Sequence, residues 1–421
     1  MAKIKPFKAV RPKEQLAEKV STLPYDVYSE EEARDIVQRN PYSFLKIVRP
    51  ETLFPDDVNI YDSMVYEAAK GALQEFIDNG TMIADDQDCY YVYREIMNGR
   101  SQTGLVACFS VDDYENGVVK RHEYTRHEKE DDRTKHIDVC GANTGLVFLA
   151  FENEANLKIL LEQATHKEPV YDFWSEDQVR QLVWRVDEPE KIKKITECVS
   201  NLDRLYIADG HHRCASAAAV CKMRRERLGT YTGEEEFNYF LAVAFPKDQL
   251  LIYPYNRVAA DLNGLSVKEF LKALTDAGFE VEKVSRRFTA RERRHGVYQP
   301  RRKGEIAMYL DGHWYRLTAG EKLLSEDPVK SLDVSLLQDN VLDKILGIKD
   351  PRTDKRVDFV GGIRGLKELE KRCHADSCVG FGMYPTSMDE LINVVEDNKV
   401  MPPKSTWFEP KLQSGLFVHR F

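Results

Sequence analysis

Asp209-Gly210-His211-His212-Arg213 sets an acid, a glycine, two imidazoles and a guanidinium in consecutive positions. The strand-like run RLYIA (204–208) precedes it and the alanine-rich run CASAAAVCKMRRERLG, ending at Gly229, follows it, so the spacing predicts strand, sharp turn and helix. Such a junction aims the first backbone N–H groups of the helix, and its positive dipole end, at an anion, with phosphate a natural fit. Asp209 would cap the helix or hold Mg2+, while His211, His212 and Arg213 would add donors and positive charge. Cations in a first helical turn oppose the dipole and cost stability unless an anion offsets them. That cost is the physical reason to read this turn as a site.

Three further clusters offer matching chemistry. Arg121, His122 and Glu123 follow the strand-like GVVK and would supply an anion clamp, a donor and a general base, while the charge run on to Arg133 reads as a solvated loop or helix. In MPPKSTWFEPKLQSG, Lys404 stands beside the hydroxyls of Ser405 and Thr406, which suits phosphate, although a terminal hairpin packed on Trp407 and Phe408 fits equally. In LPYDV, Pro24 stiffens the approach to Tyr25 and Asp26, making Asp26 a placed carboxylate, for a base or an amino-group ligand, or a turn cap. Neither a P-loop nor a complete Rossmann fingerprint occurs.

The elements that must position these groups read as α+β. Ser29 and Glu32 open a helix that Asn40-Pro41 closes, and residues 61–78 carry apolar residues at helical spacing up to Asn79-Gly80. FLKIVRP reads as a short strand, CYYVYREI and TGLVACFSV as a hairpin, and residues 144–152 as a strand. FNYFLAVAFP and LLIYPYNRVA read as a second hairpin, and EIAMYL and HWYRLTA as a third around Asp311-Gly312. SLLQDNVLDKILG and SMDELINVVEDN read as helices.

A chain of 421 residues accommodates two or three domains, and the composition shift after Asp261 divides it into 1–260 and 261–421. The net charge of −9 gives no global attraction to nucleic acid or anionic lipid. The concentrated basic stretch, 281–304, carries nine Lys/Arg against Glu282 and Glu292, yet has little aromatic interleaving, so it reads as a solvated hairpin or loop. With no secretory h-region, no membrane-length apolar run and eight cysteines without a C-x-x-C pair, the chain is expected to be cytoplasmic with reduced thiols.

The blocks PYDVYSEEEA, NPYSFLKIVRPE, RHEYTRHEKEDDR, YIADGHHRCASA, LDVSLLQDNVLDKILGI and MPPKSTWFEPKLQSGL together resemble a widespread prokaryotic family catalogued as a domain of unknown function. Through DGHHR that family resembles the ParB and sulfiredoxin-like superfamily, one branch of which comprises free serine kinases that make O-phosphoserine with a nucleotide donor. The resemblance implies mixed sheets with a strand-turn-helix nucleotide site, ATP or ADP with Mg2+, and a nucleotide-phosphate loop of Asp209, Gly210, His211, His212 and Arg213. It also implies a glutamate base, for which Asp26, Glu31, Glu123 and Asp209 are the carboxylate candidates. Lys404, Ser405 and Thr406 are expected to help bind nucleotide. Tyr25, Asp26, Arg121 and His122 are expected to bind substrate, Asp209 the metal, and Glu123 to join Asp209, His211, His212 and Arg213 as catalytic residues. The rival readings are a ParB-like nucleotide-binding regulator or nucleic-acid binder, although no helix-turn-helix follows the DGHHR helix, and a metal-dependent phosphohydrolase. A membrane partner is not expected, nor is nucleic acid on the leading reading.

Overall fold

The structure, a computed structural model, describes residues 1–152, 154–284 and 297–421. Most of the basic stretch read as a solvated hairpin, residues 285–296, lies outside them. The described residues form two compact units, Met1–Leu250 with Pro410–Phe421, and Leu251–Glu409. Both mix helices with sheets, and among the described residues no helix is long and apolar enough to cross a membrane.

The first unit is built on β1 (Ile4–Lys5), β2 (Tyr90–Met97), β3 (Arg100–Ser110), β4 (Val119–Lys120), β5 (Val147–Phe151), β6 (Tyr171–Trp174), β7 (Arg180–Val186), β8 (Leu205–Asp209) and β9 (Tyr239–Pro246). Their order is β4-β8-β5-β9-β3-β2-β7-β6, with β1 on β3. The pairs β8/β4 and β9/β5 are parallel and the others antiparallel. β2 and β3 are the expected hairpin, turned at Asn98-Gly99, where both residues take positive φ as a tight two-residue turn demands.

Four helices matter for the site: α1 (Glu30–Arg39), α2 (Ser63–Asp78), α3 (His127–Cys140) and α4 (His211–Leu228). α1 has the full capping box, with the Ser29 side chain taking the Glu32 N–H and Glu32 reaching back to Ser29, an arrangement that stabilises a helix by about 1 kcal/mol. α4 buries Cys214, Ala217, Ala218 and Cys221 in the core that Leu149, Ile207 and Phe240 share. Its alanines let the helix approach the sheet closely, and each buried methylene contributes roughly 0.8 kcal/mol. The second core gathers Ala33 and Val37 of α1, Ala69, Leu73 and Phe76 of α2, Cys140 of α3, and Val418.

Two sequence readings are overturned here. The run FLKIVRP is not a strand: Leu45–Val48 is a helical turn that continues into a 3-10 turn at Pro50–Leu53. Leu45, Ile47 and Val48 are all buried among helices, and so short an apolar run fits either period until its packing is known. FNYFLAVAFP and LLIYPYNRVA do not pair either. β9 lies between β3 and β5, so both its edges are already bonded, and the chain passes out of the first unit after Leu250.

The second unit holds a six-stranded sheet of β10 (Tyr255–Ala259), β11 (Phe279–Lys283), β12 (Glu305–Leu310), β13 (His313–Ala319), β14 (Val357–Gly361) and β15 (Val379–Gly382), in the order β11-β13-β12-β15-β10-β14. β12 and β13 are the expected hairpin around Asp311-Gly312. A separate ribbon pairs Leu251–Tyr253 with Trp407–Glu409.

Candidate functional site

The DGHHR turn is tighter than the sequence suggests. β8 runs through Asp209, and α4 begins at His211, leaving Gly210 as the whole break. Gly210 sits at φ 91°, a conformation that side chains with a Cβ rarely adopt, and a Cβ there would meet the Val147 backbone at 3.4 Å. The β8/β5 register shifts between Ile207 and Asp209, a bulge that re-aims the last strand residue. The N-cap of α4 is Gly210, which has no side chain to take the first N–H groups of the helix. Asp209 is thus a strand residue rather than the cap that the sequence allowed.

The Asp209 carboxylate lies 3.5 Å from Lys411 Nζ. Burial opposes its ionisation, but the charges of Lys411 and Arg213 outweigh that and hold its pKa at about 2, so it is a full anion at neutral pH. Arg213 Nη1 donates to Leu146 O at 2.6 Å, Nη2 stands 3.9 Å from Asp26, and the guanidinium lies over the Tyr25 ring. A Cβ on Gly145 would meet Arg213 Nε at 3.3 Å, so a larger residue there would push against the guanidinium.

The two histidines each take a backbone N–H. His211 Nε2 accepts the His122 backbone N–H at 3.4 Å, and His212 Nε2 accepts the Arg126 N–H at 3.1 Å. Burial pushes both imidazoles down, His211 far down because His122 also faces it. They therefore work as neutral acceptors, and the positive charge in the first turn of α4 is that of Arg213 alone. His122, also buried, is pushed down to about 4, and its ring meets His211 edge-on with centroids 4.4 Å apart.

Beside the turn is a narrow cleft of about 30 Å³, partly open to solvent, lined by Tyr25, Arg133, His136, Thr144, Gly145 and Arg213 among others. Two guanidinium groups lie over the Tyr25 ring, those of Arg133 at 4.5 Å and Arg213 at 5.8 Å from its centroid. Arg133 is anchored by Asp132, its Nε donating to Oδ2 at 2.9 Å, and by Val48 O, while Tyr66 holds the other Asp132 oxygen. Cations with their orientation fixed by packing suit a carboxylate or phosphate.

The structure therefore brings together Tyr25, Asp26, His122, Asp209, Gly210, His211, His212 and Arg213, with Glu123 beside His122 and His211. Asp26 and Arg121 are exposed, and Arg121 lies over Tyr124. Sequence reasoning missed Arg133 and Lys411. Arg133 closes the RHEYTRHEKEDDR run, yet α3 turns it inward, and nothing local marks Lys411.

Lys404, Ser405 and Thr406 belong to the second unit. Lys404 has φ 56°, its carbonyl accepts Arg257 Nη2 at 3.0 Å, and its ammonium lies over Tyr255. Ser405, which the sequence offers as a phosphate ligand, is buried, and its hydroxyl donates to Pro402 O at 2.6 Å.

The chain belongs to the family described as protein of unknown function (DUF1015), whose pattern matches residues 4–335. A comparison with curated proteins finds no match. Among solved structures, a free serine kinase in complex with AMP is 14% identical, with a TM-score of 0.33 over 74% of this chain and 92% of that one. A conserved hypothetical protein from Pyrococcus furiosus is 16% identical, TM-score 0.32, over 74% and 95%. SbnI with a C-terminal truncation from Staphylococcus aureus is 12% identical, TM-score 0.37, over 75% and 87%. Likeness at that level does not bear on what this chain binds or does.

Proposed function

We propose that this chain is a nucleotide-dependent phosphotransferase acting on a small hydroxyl metabolite, free L-serine first among them, with ATP or ADP as donor and Mg2+ as the metal. The observation that carries this reading is the Asp209–Arg213 junction, where an ionised carboxylate, a glycine-capped helix N-terminus and a guanidinium lining a cleft stand within one turn of chain. Phosphoryl transfer needs positioning and charge stabilisation more than covalent chemistry, and these are the groups for it. The first N–H groups of α4 and the Arg213 guanidinium bind the transferring phosphates. The Asp209 carboxylate, a hard anion at neutral pH, fits Mg2+, which when bound neutralises phosphate charge. Glu123 takes the proton of the attacking hydroxyl. In the cleft, Arg133 holds the amino-acid carboxylate, and Asp26, at the exposed side of Arg213, its ammonium.

Phosphorus NMR of the protein with ATP or ADP, Mg2+ and L-serine tests the reading. A phosphoserine resonance that is absent without protein and absent in Asp209→Asn is the expected result. Bound nucleotide with no transfer to any acceptor overturns it in favour of a nucleotide-sensing regulator. The phosphohydrolase reading is favoured by one observation, the His122, Glu123 and His211 group, and would show itself as inorganic phosphate in place of phosphoserine.

A further inference from the structure

We propose that His122, Glu123 and His211 form a binding site for a divalent transition metal, separate from the Mg2+ assigned to Asp209. One ligand atom of each residue lies within 4.8 Å of the other two. Both histidines are buried, at 2% and 8% exposure, and Glu123 is half-buried, so this is not a patch of exposed acids. The three come from two elements: His122 and Glu123 from the loop after β4, and His211 from the first position of α4. The short break at Gly210 fixes where the α4 ligand stands.

Two imidazole nitrogens and one carboxylate oxygen are a donor set for the series from Mn2+ to Zn2+, whereas Mg2+ prefers all-oxygen shells. Three protein ligands leave a fourth position for water or substrate, the pattern of catalytic and not structural sites. At bond lengths near 2.0–2.2 Å a tetrahedral site needs ligand atoms about 3.3 Å apart, so the group must contract by about 1.5 Å at most, within reach of side-chain rotation. The bond a metal on His211 Nε2 would replace is the 3.4 Å contact from the His122 backbone, at the long end for a hydrogen bond. A metal held there would place a double positive charge two residues from Asp209, where it can polarise a phosphoryl oxygen or lower the pKa of a bound water. Metal binding is read with no nucleotide present, so its test does not depend on phosphoryl transfer, although a metal here would engage the carboxylate that the kinase reading uses as base.

The test is Co2+ titration of the chelator-treated full chain, followed by its visible ligand-field absorption, with Mg2+ as competitor. One equivalent of Co2+ with nitrogen and oxygen character, displaced by Zn2+ and retained in millimolar Mg2+, is expected. His211→Ala should weaken binding by about 100-fold or more, and Glu123→Gln, at a half-buried position that tolerates the change, by about tenfold or more. His212→Ala, one residue along the same turn, should leave it in place. Absence of binding overturns the proposal, as does Co2+ that Glu123→Gln leaves unmoved. A thiolate charge-transfer band would put the metal on cysteine and overturn it too. Phosphoserine formation with Mg2+ alone would leave the kinase reading standing in any of these cases.

Discussion

Asp209–Arg213 in the first unit and Pro402–Thr406 in the second read alike in sequence, each setting a cation among small polar residues. Their charges and donors are disposed in opposite ways. In the first turn the histidines accept backbone N–H groups, and Asp209 is held ionised beside Lys411 and Arg213 at the glycine-capped start of α4. In the second the groups turn inward, Ser405 to Pro402 and the Lys404 carbonyl to buried Arg257. Burial pulls the Arg257 guanidinium down to about 10, although it still carries its charge at neutral pH. Residue type gives the capacity to donate or accept, and the fold decides where that capacity is used.

The contrast breaks most visibly at the first turn. Arg213→Ala or Asp209→Asn should lower phosphoryl transfer by about 1,000-fold, on the scale of losing a charge-stabilising group, with thermal unfolding shifted by only a few degrees. Near-normal turnover in either variant would remove the first turn from the chemistry and with it the contrast.

The next largest effect is on stability against pH. Burial pushes His136, 1% exposed with Nε2 2.7 Å from Ile47 O, down to about 4. Its folded pKa is depressed below the unfolded 6.5, so its neutral form stabilises the fold fully above pH 6.5, and that contribution is lost as pH falls from 6.5 towards 4. The ceiling is about 3 kcal/mol. Denaturant titrations across that window should show stability rising with pH, and His136→Gln should reduce the slope by about one proton. An unchanged slope would show that His136 does not stay neutral in the fold.

Arg133→Lys keeps the charge beside Tyr25 but loses the planar fork, so the KM for L-serine should rise by about tenfold while kcat holds. Equal falls in kcat would mean that Arg133 acts on the transferring phosphate instead. Smallest of all, Ser405→Ala should cost about 1 kcal/mol of stability for its lost hydrogen bond and shift the KM for nucleotide by less than about twofold. A tenfold KM shift would restore Ser405 as a phosphate ligand and bring the two turns together again.

What the sequence made legible was local. The capping box at Ser29 and Glu32, and the turns at Asn98-Gly99 and Asp311-Gly312, are each complete within a few residues, so no distant partner was needed to read them. The strand, glycine and helix around Asp209–Arg213 belong to the same kind. The histidine roles were hidden because a neutral imidazole accepts or donates according to its neighbours, and the His211 neighbour is a backbone N–H from another loop. Arg133 was hidden in a charge run whose outward members are solvated, and only its place on α3 separates it from them. Lys411 was hidden for the plainest reason, its distance along the chain from Asp209. FLKIVRP failed because four apolar residues carry no period.

The return of Pro410–Phe421 to the first unit sets the order in which the site can come into being during synthesis. Val10 pairs with Val418, Thr22 with Ser414 and Asn143 with His419, and Lys411 is the counter-charge of Asp209. These residues leave the ribosome only after the whole of Leu251–Glu409 has been made, a delay on the order of ten seconds at ordinary rates of synthesis. Until then the nascent chain carries the DGHHR turn without Lys411 and without the edge strand that closes on Asn143. A half-made chain thus holds an incomplete turn, which gains its full charge balance only when the chain has folded back on its beginning.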